Sequence, residues 1–386
     1  VEEKGRATLD VLAEALPAML TGLKFEKAMR WNSSGVAFSR PVRWILALYG
    51  AQLLPFRFAD TPAGRTTRGL RFRQPEALQV ASPAEYFDAL RAQGIILDPG
   101  ERSEEIQRQV VGLMRAAGAA ETLDADLLAE VTALVEAPTA LLGKFEEEHL
   151  RLPPEVLISV MKKHQRYFPV YAADGALMPL FIAVRNGDSQ HLDVVADGNE
   201  QVIRARFADA AFFIAEDRKH KLEDFLPRLG TLTFQFKLGS MLDKTHRIQA
   251  LVEKLLPGLP VDAASAAAAR RAAQLAKADL VTNMVVEMTA LQGIMGRFYA
   301  AHSEEPAQVA EAIFEHYLPR SAGDKLPSAL PGLTLGIADR LDTLAGLFSA
   351  GLAPTGTRDP FAQRRAALGL VQTLIGWDLD FDIKLG

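Results

Sequence analysis

Pro153-Pro154-Glu155-Val156-Leu157-Ile158-Ser159-Val160-Met161-Lys162-Lys163-His164-Gln165-Arg166-Tyr167-Phe168-Pro169-Val170-Tyr171 changes its period midway, and that change decides the fold class. Proline suits a first helical turn, where its missing N–H has no partner to lose. The apolar side Val156, Leu157, Val160 and Met161 then predicts a helix that ends in Lys162, Lys163, His164 and Arg166, cations that favour a helix C-terminus. From Tyr167 the pattern favours a strand. Asp174-Gly175 lies between that strand and a second apolar run, Leu177–Val184, so a hairpin is expected. Helix followed by an antiparallel pair makes the chain α+β.

Working outward, apolar residues at Leu9, Leu12, Leu16 and Leu20 predict a helix over 1–22. Short β-favouring runs follow at 41–49, 53–58 and 67–72, bounded by Gly, Pro and Asp. Helical patterns return at 100–117 and 125–136, the second with Asp124 as its cap. A further helix is expected to open at Asp197-Gly198-Asn199-Glu200 and to run to about 217. Beyond Gly230 the patterns at 232–256, 262–288, 308–317, 333–347 and 361–375 are all helical, which places a domain boundary near 228 and an all-α region after it.

Composition sets the outer limits. The 386 residues are 49% hydrophobic and 24% charged, which is globular and suggests two or three domains. No apolar run approaches the roughly 20 residues of a membrane span, and the first residues lack a signal-peptide pattern, so a cytoplasmic protein with no membrane partner is expected. The absence of cysteine removes disulfides, thiolate metal sites and a thiol nucleophile.

Net charge is −5, but its distribution is uneven. Between Lys24 and Arg73 ten Lys and Arg residues meet only Glu26 and Asp60, whereas from Asp98 to Glu148 twelve acids meet four bases. A polyanion-facing first segment fits this asymmetry, and so does salt bridging between the two segments.

Six stretches closely resemble the beta subunit of the bacterial two-subunit glycyl-tRNA synthetase. They are Met29–Trp44, Pro154–Val170, Gly198–Phe213, Lys277–Val285, Leu291–Arg297 and Asp359–Ala367, ordered and spread over most of the chain. The resemblance implies an aminoacyl-tRNA synthetase, a glycine–tRNA ligase of α2β2 composition. In it the alpha subunit binds ATP and Mg and activates glycine, and the beta subunit binds tRNA(Gly). ATP- and nucleotide-binding then belong to the complex, with no cofactor and no catalytic residue in this chain. The resemblance also implies a central piece of a longer subunit, with a B3/B4-like α+β region over residues 1–228 and a helical HD-like domain over residues 229–386.

Candidate residues follow. Arg40 and Arg43 are candidates for tRNA or alpha-subunit contact, while Trp44, alternating with Arg43 and Ile45, is expected in the core. Lys162, Lys163 and Arg166 form a candidate phosphate-binding cluster, and Arg204 and Arg206 a second, although Glu200 and Asp209 also offer them helix ion pairs. An HD phosphohydrolase needs two His and two Asp around a metal. This chain offers His246, Asp279 and Asp339, but Ala278 stands where the dyad histidine belongs, so these three are taken as a remnant without metal, with His316 as the one substitute. A metal phosphohydrolase and a tRNA-editing module are the alternatives. No Walker loop, G-x-S-x-G elbow or H-E-x-x-H helix is present.

Overall fold

The computed structural model describes residues 5–71, 77–356 and 358–382, so the C-terminal end of the strand expected over 67–72 and the first residues of the expected helix 1–22 lie outside it. The chain is mixed α+β and packs as two compact units, Val1–Lys144 with Gln165–Glu200, and Phe145–His164 with Gln201–Gly386. Packing thus carries residues 201–228 with the helical part.

The first unit begins with helix α1 (Thr8–Gly22) and short strands β1 (Ile45–Leu46), β2 (Leu48–Tyr49), β3 (Gln52–Leu53), β4 (Arg57–Phe58), β5 (Thr61–Gly64), β6 (Thr66–Arg68) and β7 (Ala77–Gln79). Parallel β1 and antiparallel β4 flank β5, while β2 pairs with β3 and β6 with β7. Helices α2 (Pro83–Ala92), α3 (Pro99–Ala116) and α4 (Ala125–Leu134) follow, and then strand β8 (Pro138–Lys144). Asp98 and Asp124 accept from Glu101 and Leu127 amides and so cap α3 and α4.

After α5 (Pro154–Ser159) a π-helical turn, Val160–Gln165, leads to the expected hairpin of β9 (Phe168–Tyr171) and β10 (Leu177–Asn186), with Gly175 at φ +85°. β10 is central, with β8 on its other edge. One face of this sheet meets α3 and α4 through Ile106, Val110, Met114, Leu127, Val131 and Ile182, all but fully buried. On that sheet Gly143 sits opposite Phe181, whose ring stacks on Tyr167 at 4.8 Å. A Cβ on Gly143 would enter the Phe181 ring, so only glycine fits there.

Helix α6 (Leu192–Asp217) begins before the expected Asp197, because Leu192 and the residues after it continue the same turn pattern. The second unit then contains a small hairpin, β11 (Thr233–Gln235) with β12 (Gly239–Ser240), so it is not entirely helical. The hairpin shortens the helix expected over 232–256 to α7 (Met241–Leu255), which starts at a capping box of Ser240 and Asp243. The pattern over 262–288 is likewise divided, into α8 (Ala263–Leu275), a 3-10 turn at Ala278–Val281 and α9 (Asn283–Glu287). Asp262 and Thr282 cap the two helices, and each cap forces the preceding residues out of helical geometry. Helices α10 (Ile294–His302), α11 (Ala307–Glu315), α12 (Leu330–Ser349) and α13 (Gln363–Gly376) complete the unit. α12 runs through its centre, buried at Leu333, Leu335, Ile337 and Ala338. Among the described residues no helix is long and apolar enough to cross a membrane.

Candidate functional site

The first unit holds a cleft of about 1080 Å³ lined by Arg40, Arg43, Trp44, Arg68 and Arg71, with no acidic side chain among its described lining residues. Strand alternation builds one wall: Thr67 of β6 points into the interior at 5% exposure, which turns Arg68 outward. Trp44 is 43% exposed rather than in the core, and the Arg68 guanidinium lies over its ring at 5.8 Å. Alternation does not govern Trp44, because β1 begins only at Ile45 and is two residues long. Exposed guanidinium groups beside an exposed indole are the elements that hold phosphates and stack on unpaired bases.

The other basic candidates are divided between the two units. Lys162 and Lys163 lie on the π-helical turn in the second unit, whereas Arg166, in a left-handed conformation with φ +59°, packs with the first. The Arg166 Nε donates to Glu130 at 2.6 Å. Arg204 donates to Glu146 at 2.6 Å instead of pairing along its helix with Glu200, and this bond holds the Glu146 carboxyl below its usual range. Arg206 is exposed on α6.

A buried charge network occupies the second unit. The Lys277 ammonium lies 2.8 Å from His316 Nε2 and 2.9 Å from Asp339 Oδ2. Lys244 approaches the other oxygen of Asp339 at 2.9 Å and donates to Asp342 at 2.9 Å and to Thr343 at 2.8 Å. Arg247 completes the set through Asp342 at 2.5 Å. On α7, Lys244, Arg247 and Ile248 share the inward stripe, and His246, turned away from it by helical geometry, is exposed and does not join.

Asp279 also stands apart. Its Oδ2 accepts from the amides of Gly293 at 2.6 Å and Gly296 at 3.1 Å and so caps α10. Gly293 takes φ +79°, and a Cβ on Gly296 would meet Ile313 at 2.6 Å and Asp279 itself at 3.0 Å, so both glycines permit the approach. Burial raises the Asp279 carboxyl to about 6 despite these two amides. Of the expected remnant, Asp339 alone lies in the network; Lys244, Lys277, Arg247 and Asp342 were not singled out from sequence, because their partners are 39 to 99 residues away along the chain.

His316 Nδ1 lies 2.6 Å from the carbonyl of Ile313, which makes Nδ1 the protonated nitrogen and leaves the Nε2 lone pair facing the Lys277 ammonium. Lone pair and carboxylate, the atoms a divalent ion would take, already converge on a cation. The residues therefore do not fit a resident metal, and Ala278, fully buried, leaves no room for a histidine beside Asp279.

Desolvation, then the adjacent ammonium, push His316 well below the ordinary imidazole value. In the unfolded chain His316 binds a proton below about pH 6.5, and in the folded chain it does not, so its contribution is present above that pH and is lost as pH falls. Asp279, raised to about 6, acts in the opposite sense: the folded chain holds its proton longer, and stability falls as pH rises through about 4 to 6. His316→Gln should remove an acid limb of up to about 1.4 kcal/mol per pH unit below pH 6.5. Urea midpoints from pH 5 to 7.5 measure it, and equal slopes for the two proteins would rule it out.

Fold and site define an α+β protein with an arginine-rich cleft in one unit and a helical unit organised around buried ammonium groups. Residues 1–385 match the family model described as glycyl-tRNA synthetase beta subunit, and the chain belongs to that family. It is 47% identical over 381 residues to the glycine–tRNA ligase beta subunit of Moorella thermoacetica, covering 99% of this chain and 55% of the relative. The beta subunit of Clostridioides difficile is 46% identical over 386 residues, covering 100% and 56% respectively. That of Bacillus subtilis is 44% identical over 382 residues, covering 98% and 56%. The chain spans about half the length of the curated relatives it matches.

Proposed function

We propose that this chain is a tRNA-binding part of a cytoplasmic glycine–tRNA ligase, and that it supports glycylation of tRNA(Gly) by an alpha subunit that binds ATP and Mg in an α2β2 complex. Its first region is B3/B4-like and its second HD-like, with neither acting as the aminoacylation centre. Family membership supports the ligase role, and the observation that carries the tRNA role is the cleft where Arg40, Arg43, Arg68 and Arg71 surround an exposed Trp44, with no carboxylate among the described lining residues. Phosphates attract the arginines by charge and fork geometry, while the indole offers a face to an unstacked base. Of the other candidates, Lys162, Lys163 and Arg206 belong to the second unit, and Arg166 and Arg204 are held by the carboxylates of Glu130 and Glu146. A metal phosphohydrolase is disfavoured because Lys277 holds the atoms the metal needs.

Binding of tRNA(Gly) by the chain, followed by fluorescence anisotropy against salt concentration, tests the reading. Arg40→Ala/Arg43→Ala should weaken binding by roughly tenfold or more at 0.1 M salt and lower the log–log salt slope by about 1 to 2, since each phosphate contact contributes somewhat less than 1. Trp44→Ala should weaken binding with little change of slope. A double variant with unchanged affinity and slope would remove the cleft from the interface.

A further inference from the structure

A second cavity, of about 310 Å³, lies in the helical unit between the α11–α12 connection and the start of α13, lined in part by Gln292, Tyr317, Arg320, Asp339, Arg340 and Arg365. Its charges do not cancel. Asp339, the one carboxylate among the described lining residues, is already engaged by Lys277 and Lys244. Arg340 turns both terminal nitrogens to backbone, donating to the carbonyls of Leu318 at 2.6 Å, Gly336 at 3.1 Å and His316 at 3.2 Å, and so contributes mainly its charge.

Arg320 and Tyr317 differ from Arg340. The Arg320 Nη2 and the Tyr317 Oη are both buried without a hydrogen-bond partner. Asp324, whose charge acts on Arg320, turns its carboxylate to the backbone amides of Arg320 and Lys325, each at 2.8 Å. The guanidinium rests instead over Phe314 at 5.0 Å, and burial lowers it from the ordinary arginine value. Leaving two buried donors unsatisfied is costly, and a ligand accepting from both would recover that cost.

The stretch Asp359-Pro360-Phe361-Ala362-Gln363-Arg364-Arg365 supplies the open side. Asp359 accepts from the amides of Gln363 at 2.8 Å and Arg364 at 2.9 Å, which occupies the helix terminus and fixes the first turn of α13. Arg365 on that turn is exposed and lines the cavity. Arg365, with Arg320 and Tyr317 whose buried Nη2 and Oη lack partners, makes three donor-bearing side chains that line one cavity.

We propose that this cavity binds the phosphate group of a small ligand, orthophosphate itself or a nucleoside monophosphate, without metal and without hydrolysis. Phosphate fits better than carboxylate because three oxygens can meet donors arriving from the α11–α12 connection and from α13, whereas a planar carboxylate satisfies one fork. The volume accommodates a group of mononucleotide size and excludes a folded RNA. Neither the arginine cleft nor the tRNA reading enters this inference.

Calorimetric titration of the 386-residue chain with orthophosphate, adenosine 5′-monophosphate and acetate, at constant ionic strength, tests it. Saturable binding of orthophosphate or the nucleotide, with none of acetate, is expected; tighter binding of the nucleotide than of orthophosphate identifies the nucleotide as the source of the phosphate, and equal binding identifies the free ion. Arg365→Ala, on the surface and neutral for folding, and Arg320→Gln should each weaken binding by about tenfold, as loss of a charge-assisted hydrogen bond predicts. Arg40→Ala/Arg43→Ala, in the other unit, should leave it unchanged. No saturable binding by either phosphate ligand, equal binding of acetate, or affinity unaffected by Arg365→Ala and Arg320→Gln would each overturn the proposal.

Discussion

Asp339→Ala is expected to destabilise the helical unit by about 3–5 kcal/mol, the range for removing one partner from a buried ion pair. The carboxylate sits between Lys277 and Lys244, each 2.9 Å away, and both lysines are almost fully buried. Lys244 keeps Asp342 and Thr343 when Asp339 is removed. Lys277 keeps only the His316 lone pair and the face of Tyr317, 4.3 Å away, so the deficit falls on Lys277.

An upper bound follows from proton release. Burial already lowers the Lys277 ammonium from its ordinary value, and without Asp339 it can shed its proton in the folded chain. Neutralising a lysine at pH 7 costs about 4–5 kcal/mol relative to an ordinary value near 10.4, so the loss cannot exceed that by much. The sign with pH is fixed as well. A folded lysine of lowered affinity binds fewer protons than the unfolded one, so stability of the variant rises with pH and its deficit shrinks by up to about 1.4 kcal/mol per unit toward pH 10. Hydrogen exchange should quicken in α7, α8, α11 and α12 and stay unchanged across β8, β9 and β10. Lys277→Met/Asp339→Ala should recover most of the loss, because the stranded charge goes with its partner. A double variant no better than the single one, or a deficit independent of pH, would show that the network is not held by charge.

Local signals carried much of the fold in the sequence. Asp174-Gly175 announced the β9–β10 hairpin, and Asp124 its helix cap, because turn and cap chemistry act over two or three residues. β8 was hidden: Pro138 reads as a helix stop, yet proline is tolerated as the first residue of an edge strand, which β8 is. Strands of two to four residues between 45 and 68 are too short for alternation to show, and that misplaced Trp44. The site divides in the same way. Arg40, Arg43, Arg68 and Arg71 all belong to the local excess of charge, but which of its ten bases share a cleft is decided only by the fold. Asp339 was singled out for a histidine–aspartate pattern, whereas the groups it meets are lysines, which no ligand motif includes. His246 attracted attention by residue type, and one helical position decided that Lys244 faces inward instead.

Asp217→Ala should cost a comparable amount, about 3–5 kcal/mol, through hydrogen bonds rather than a buried cation. Asp217 ends α6 at 1% exposure and accepts four hydrogen bonds: from the Asn283 amide at 2.9 Å, the Asn283 side chain at 2.9 Å, the Met284 amide at 3.0 Å and the Tyr299 hydroxyl at 2.7 Å. It thereby ties the C-terminus of α6 to the N-terminus of α9 and to α10, three elements that share no strand or helix hydrogen bond. Thr282 caps Val285 only, so the Asn283 and Met284 amides have no second acceptor within α9. Alanine would strand several donors at once in a place water cannot reach. Desolvation and the bond to this carboxylate already hold the Tyr299 phenol well above its usual value, so Tyr299 cannot compensate by ionising. Asp217→Asn keeps one carbonyl acceptor and turns a donor toward groups that also donate, which predicts an intermediate loss. Tyr299→Phe removes a single bond and should cost about 1–2 kcal/mol. The order alanine, then asparagine, then the Tyr299 variant is the measurable content. Exchange at Asn283 and Met284 should report it locally, and an asparagine variant as stable as the parent would place the stabilisation in apolar packing around Asp217 instead of in its four acceptors.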